Sequence, residues 1–149
     1  MISVNILELT SEEGILLLPE HLANAEAVHR QLRPQLPQNY LEKMTRVFAN
    51  GGRMIVAEQE GRIGGVAIYR ILDNTAFDRQ LYVDDLVTGE TLRSKGIGRA
   101  MLSFLQDKAR SEKCGSIALD SGTQRQRAHQ FYFRENFLIT SFHFGKAID

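Results

Sequence analysis

A single α/β domain, mixed α+β in character and covering residues 1–149, is predicted by three observations. Three consecutive strand-like runs, Arg53 to Glu58, Ile63 to Leu72 and Gln80 to Val87, fill the middle of the chain. Two segments with apolar residues at helical spacing precede them. After them, a glycine-bearing cationic turn, Arg93-Ser94-Lys95-Gly96-Ile97-Gly98-Arg99-Ala100, opens into an amphipathic helix. The expected architecture is a mixed sheet with helices on both faces.

Taken in order, Val4 to Leu9 alternates as a first strand and ends at Thr10-Ser11-Glu12-Glu13, a helix-start signal. Pro19 interrupts the apolar run Ile15 to Leu18, and Leu22, Ala25, His29 and Leu32 then recur at helical spacing, giving a helix from about His21 to Arg33. Pro34 and Pro37 break it. Asn39 caps a second helix whose apolar face is Tyr40, Leu41, Met44, Val47 and Phe48, and Asn50-Gly51-Gly52 ends it. Glu60-Gly61 joins the first two middle strands as a hairpin. The helix after the cationic turn runs to Ala109 and buries Ile97, Met101, Phe104, Leu105 and Ala109. Ser116 to Asp120 is a short strand, and a helix from about Gln124 to Glu135 buries Ala128, Phe131 and Tyr132. Phe137 to Phe144 is expected as a last, aromatic strand.

Composition narrows the function. Eighteen basic and eighteen acidic side chains cancel, so nucleic acid is a poor default partner and an anion site must come from local arrangement. One cysteine, Cys114, allows neither a disulfide framework nor a thiolate metal site, and no histidine pair has metal-ligand spacing with a carboxylate, so no metal is expected. The N-terminus lacks a basic region and a long apolar run, and no run reaches membrane-spanning length. A cytoplasmic protein without membrane contact is the expectation.

The turn at Arg93 to Ala100 is an anion cradle in physical terms. The first N–H groups of a helix lack internal partners, and the helix dipole adds partial positive charge there. Gly96 and Gly98 admit a diphosphate close to the backbone, while Arg93, Lys95 and Arg99 add charge. Read alone, the same residues also fit a solvated basic surface.

Two motifs resolve this. The turn matches [RQ]-x-x-G-x-[GA] through Arg93, Gly96 and Gly98, and Ala128 to Phe137 matches A-x-x-F-Y-x-x-x-G-F except at Asn136. The chain thereby resembles the GNAT superfamily of N-acetyltransferases along nearly its whole length, as a small bacterial member whose tail is similar to aminoalkylphosphonate acetyltransferases. The resemblance implies a central mixed, mostly antiparallel sheet of six to seven strands with about four helices, in the order β-α-α-β-β-β-α-β-α-β. It implies acetyl-CoA as co-substrate, with Leu86, Val87 and Thr88 offering backbone groups to the pantetheine arm. Arg93, Ser94, Lys95, Gly96, Ile97, Gly98 and Arg99 would hold the diphosphate, and Arg125, Ala128 and Phe131 would complete the cofactor site. Arg125 stands where many members have a pantetheine-contacting Asn. Asn136 replaces the family's glycine, a position where positive φ is expected and where Asn is the next-best residue.

By the same resemblance Tyr132 is the general acid that protonates the departing thiolate. Asp85 is the candidate base or amine anchor, and strand alternation would let only one of Asp84 and Asp85 face the cleft. An equally open reading has both carboxylates fixing loop structure or pairing with Arg79 or Arg93. His129 and His143 are candidates to line the acceptor pocket, whereas His21 and His29 read as surface or helix-packing residues. The leading expectation is acetyl transfer from acetyl-CoA to a primary amine of a small molecule by direct attack. Acetylation of a protein or peptide N-terminus or lysine, and a non-catalytic acyl-CoA sensor, are the alternatives. Family members are often dimers, and the aromatic last strand is a candidate contact.

Overall fold

A computed structural model of the protein describes residues 3–92 and 96–149. The chain forms two compact units, Met1–Ala118 and Leu119–Asp149. The elements are β1 (Asn5–Glu8), α1 (Pro19–Leu32), α2 (Tyr40–Ala49), β2 (Arg53–Gln59), β3 (Arg62–Asn74), β4 (Asp78–Thr88), a 3-10 turn (Glu90–Leu92), α3 (Ile97–Ser111), β5 (Ser116–Leu119) and α4 (Gln126–Arg134). Among the described residues the sheet has five strands in the order β1-β2-β3-β4-β5, not the six to seven that the resemblance implied. β1 to β4 pair antiparallel throughout. No described helix is long and apolar enough to cross a membrane.

Local chemistry explains most boundaries. Pro19 starts α1, two residues ahead of the expected His21, at a position where its missing N–H costs nothing. Asn39 caps α2 by accepting the Glu42 N–H at 3.1 Å. Glu60 and Gly61 have φ of 52° and 74°, the backbone a tight two-residue hairpin turn requires, and they join β2 to β3.

Strand alternation sorts the core of the first unit onto two faces. Met54, Val56, Val66, Ile68 and Val87 pack with Leu22, Ala25 and Val28 of α1 and with Tyr40, Met44 and Phe48 of α2. The opposite face meets α3, which comes so close that a Cβ on Gly65 would lie 2.8 Å from Ile97 Cγ2 and 2.7 Å from Met101 Cε. The buried stripe of α3 is Ile97, Met101, Leu102, Leu105 and Ala109. Leu102 is buried in place of the expected Phe104, whose ring lies beneath the Lys108 ammonium.

In the second unit α4 ends at Arg134, Asn136 just beyond its cap takes the expected positive φ of 69°, and the Phe137 N–H closes on the Tyr132 carbonyl at 2.9 Å. The expected strand from Phe137 to Phe144 does not form. Leu138 and Phe142 are 80% and 83% exposed, and Phe144 is 92% exposed. Apolar, aromatic composition marks a segment as able to pair, but a strand exists only where another backbone takes up its N–H and C=O groups.

Candidate active site

The site grows from an irregularity in β4. Ile68 pairs with Asp85 while the next residue, Tyr69, pairs with Val83, so Asp84 is the extra residue of a β-bulge. A bulge suspends the alternation of side chains. The expectation that only one carboxylate faces the cleft is therefore corrected: both Asp84 and Asp85 line a cleft of about 460 Å³ between α1, α2 and the sheet.

Neither carboxylate is bare. Arg70 Nε donates to Asp84 at 2.6 Å. Arg33 Nε donates to Asp85 Oδ1 at 2.8 Å, and its Nη2 reaches the Asp84 carbonyl at 3.0 Å. His29 Nε2 donates to Asp85 Oδ2 at 2.7 Å, because an ionised carboxylate can only accept. The other ring nitrogen, Nδ1, lies 2.7 Å from the Tyr40 hydroxyl. Arg79 is not among the partners, since it pairs with Asp73 and Glu112; Arg93 lies outside the described residues.

Burial by itself would raise the Asp85 carboxyl, but hydrogen bonds from His29 and Arg33, with the Arg33 charge, outweigh it and hold the group below the usual carboxylate range. Asp85 therefore stays ionised at neutral pH. Burial pushes the Tyr40 phenol well above its ordinary value, helped by the negative charges of Glu26 and Asp85, so it remains a neutral hydroxyl.

His29 was the residue that sequence reasoning passed over. It is 1% exposed and sits in the buried stripe of α1. Its signal was present: a histidine in an otherwise apolar helical stripe must find polar partners when buried. Nothing in the sequence named Tyr40, Arg33, Arg70 or Lys43 as neighbours of the two aspartates, since these come from α2, the segment after α1, and β3.

Leu86, Val87 and Thr88 continue β4 directly after the bulge, paired on one side with Ala67, Val66 and Gly65. On the other side β5 has only four residues. Its start is fixed against the far end of β4, where the Gly115 N–H donates to the Arg79 carbonyl at 2.9 Å and Gln80 donates to Ser116 at 3.0 Å. At roughly 3.3 Å per residue, four residues cannot reach Leu86. The last three residues of β4 thus keep a backbone edge that β5 does not cover.

Gly96 caps α3 in the left-handed region with φ of 81°, and a Cβ there would meet no described atom within 4 Å. Ile97 is buried against Gly65, Gly98 is half-buried and Arg99 is exposed. Arg93, Ser94 and Lys95 lie outside the described residues.

In the second unit Arg125 precedes α4 and Ala128, Phe131 and Tyr132 are half-buried on it. Tyr132 sits between the rings of Phe131 and Phe137, at 5.5 and 5.7 Å. Burial pushes its phenol up, against the opposing charge of Arg125. His129 Nε2 donates to the Gly122 carbonyl at 2.8 Å, and His143 lies 2.9 Å from Asp120 with most of its side chain in solvent. Among the described residues no group of three or more His, Cys, Asp or Glu could hold a metal ion.

The sequence model of the acetyltransferase (GNAT) family matches residues 19–137. The chain belongs to that family. As a GNAT protein it is 30% identical over 139 residues to the uncharacterized N-acetyltransferase YhdJ of Bacillus subtilis (strain 168), covering 87% of this chain and 93% of that one. A shorter match, 30% over 66 residues, covers 44% of this chain and 43% of the aminoalkylphosphonate N-acetyltransferase of Salmonella typhimurium. The GNAT fold itself is shared with the aminoglycoside N-acetyltransferase AAC(6')-Iy solved in complex with CoA, at a TM-score of 0.83, 14% identity and coverage of 99% of this chain and 96% of that one.

Proposed function

We propose that this GNAT chain is one N-acetyltransferase domain, residues 1–149, that moves an acetyl group from acetyl-CoA to a primary amine of a small molecule by direct attack. The observation that carries the reading is the bulge in β4. It turns Asp84 and Asp85 into one cleft, and the same strand continues immediately into the uncovered edge Leu86–Thr88. An acceptor cleft and a donor edge would share one strand. The family match runs across both compact units, which supports treating the chain as one domain. Related folds solved with CoA and with sisomicin support CoA as carrier and a small amine as acceptor.

The residues fit the cofactor. The Leu86–Thr88 edge can pair with the pantetheine amides as an added strand would. The N–H groups of Ile97 and Gly98 open α3 beside the bare Gly96, with Arg99 next to them, and Arg93 to Lys95 complete the same motif. Arg125, Ala128 and Phe131 keep the cofactor role their motif positions imply.

When bound, acetyl-CoA supplies an activated thioester whose thiolate must be protonated as it leaves. Tyr132 is assigned that proton: its phenol, raised by burial, stays protonated at neutral pH. Of the two roles open to Asp85, the network supports the anchor. A carboxylate held below its usual range is a poor proton acceptor but a lasting negative charge for an incoming ammonium. Asp84 would support it, and His129 and His143 are secondary candidates for the acceptor side. The exposed apolar side chains at Leu138, Phe142 and Phe144 support a homodimer, which light scattering would test.

Thermal shift tests the reading. At about a hundredfold excess over Kd, a ligand adds roughly 2.7 kcal/mol, worth about 5–10 °C for a chain of this size. Acetyl-CoA should produce such a shift, and Gly96→Glu should abolish it while the ligand-free Tm reports folding. No shift with the native chain would sink the proposal.

A further inference from the structure

The charges of the β4 cleft go further and concern the acceptor, resting on the acetyl-transfer reading above. Three cations, Arg33, Lys43 and Arg70, line the cleft against two carboxylates, Asp84 and Asp85. Both carboxylates are already committed. Arg70 holds Asp84 at 2.6 Å. Arg33 and His29 hold Asp85, each at 2.7 Å. Pairing each aspartate with its arginine leaves one cation over. Lys43, half-buried on α2, has no ion-pair partner among the described residues.

We infer that the acceptor is a small amine that also carries an anionic oxyacid group, a carboxylate or a phosphonate, with Lys43 as its anion anchor. In a partly enclosed cleft an uncompensated charge sets the sign of the ligand group that is attracted. A compact ammonium point charge suits either oxyanion without demanding bidentate geometry. The amine of such a molecule is drawn to the Asp85 side, where negative charge persists, and its anion to Lys43. A polyamine or aminoglycoside brings more ammonium groups than two arginine-paired carboxylates can hold, and each additional one faces the like charge of Arg33, Lys43 or Arg70. An uncharged tail leaves Lys43 desolvated without return.

The test measures CoA release at saturating acetyl-CoA with β-alanine, 2-aminoethylphosphonate, n-propylamine and spermidine. The expected result is kcat/KM at least tenfold higher for one or both anionic amines than for propylamine or spermidine. Comparing the two anionic substrates decides between carboxylate and phosphonate. Lys43→Met should collapse the anionic-to-neutral ratio at least tenfold through KM, Lys43→Arg should keep most of it, and added salt should shrink it in the native chain. Equal use of propylamine, preference for spermidine, or an unchanged ratio in Lys43→Met would overturn the inference. The acetyl-CoA thermal shift is read in parallel. Its absence overturns acetyl transfer and this inference together, whereas a normal shift without anionic-amine turnover overturns this inference alone.

Discussion

β4 and the segment from Phe137 to Phe144 were both expected as strands and stand in opposite physical states. β4 is bound along its whole length to β3, takes β5 at its other flank, and carries a bulge that turns two aspartates into a charged, hydrogen-bonded cleft. The C-terminal stretch forms no ladder and leaves Leu138, Ile139, Phe142 and Phe144 mostly in solvent. A strand is a property of a pair of backbones, and only a paired strand is rigid enough to aim side chains at a ligand. The cleft thus rests on strand pairing that the segment from Phe137 to Phe144 does not show among the described residues.

The largest effect should come from removing packing beside the cleft. Met44→Ala, at a side chain 1% exposed, should cost about 2–5 kcal/mol by denaturant unfolding. A much smaller loss would mean the cleft wall is not packed as described. Next comes the charge network. Asp85→Asn should lose roughly 1.5–3 kcal/mol at pH 7, because hydrogen bonds to an ionised group disappear. The folded carboxyl lies below its unfolded value near 3.9, so its stabilisation is complete above that pH. It is lost as pH falls through the lower folded value. The gap between wild type and Asp85→Asn should therefore be constant from neutral pH to about pH 5 and close in stronger acid. A gap that widens on acidification would reverse the assignment.

Tyr132→Phe should lower kcat at least tenfold, or about 1.4 kcal/mol in the barrier, with little change in the acetyl-CoA thermal shift. An unchanged kcat would remove Tyr132 as the acid. The smallest effect belongs to the tail. Phe142→Ser and Phe144→Ser should each change unfolding stability by less than about 0.5 kcal/mol, measured at low protein concentration. A loss comparable to that of Met44→Ala would show that a partner covers this stretch in solution.

Much of this organisation was legible in the chain, for reasons that differ by residue. The helical stripe of α3, the Asn39 cap and the Glu60-Gly61 hairpin follow from rules acting within a few residues, and each stands close to where spacing put it. Asn136 took its left-handed φ because a helix end demanded one there. α1 starts at Pro19, two residues before the expected His21, because proline is at home in a helix's first turn. The site was half legible. Asp84 and Asp85 stood out, while their common orientation depends on a register slip between β3 and β4 that no local pattern records.

The sequence by itself determined the family, the cationic residues ahead of α3 and the chemistry available along β4, because those depend on residue identity at fixed spacing. Tertiary structure decided which groups meet. His29 became a partner of Asp85 because α1 packs on the face of the sheet that the bulge opens, although the two residues lie 56 positions apart. It also set Lys43 in that cleft without an ion-pair partner among the described residues, while both aspartates are paired with arginines. The same lack of local information explains the tail: its alternating apolar side chains could pair, and whether they do depends on a backbone that the sequence of the segment does not contain.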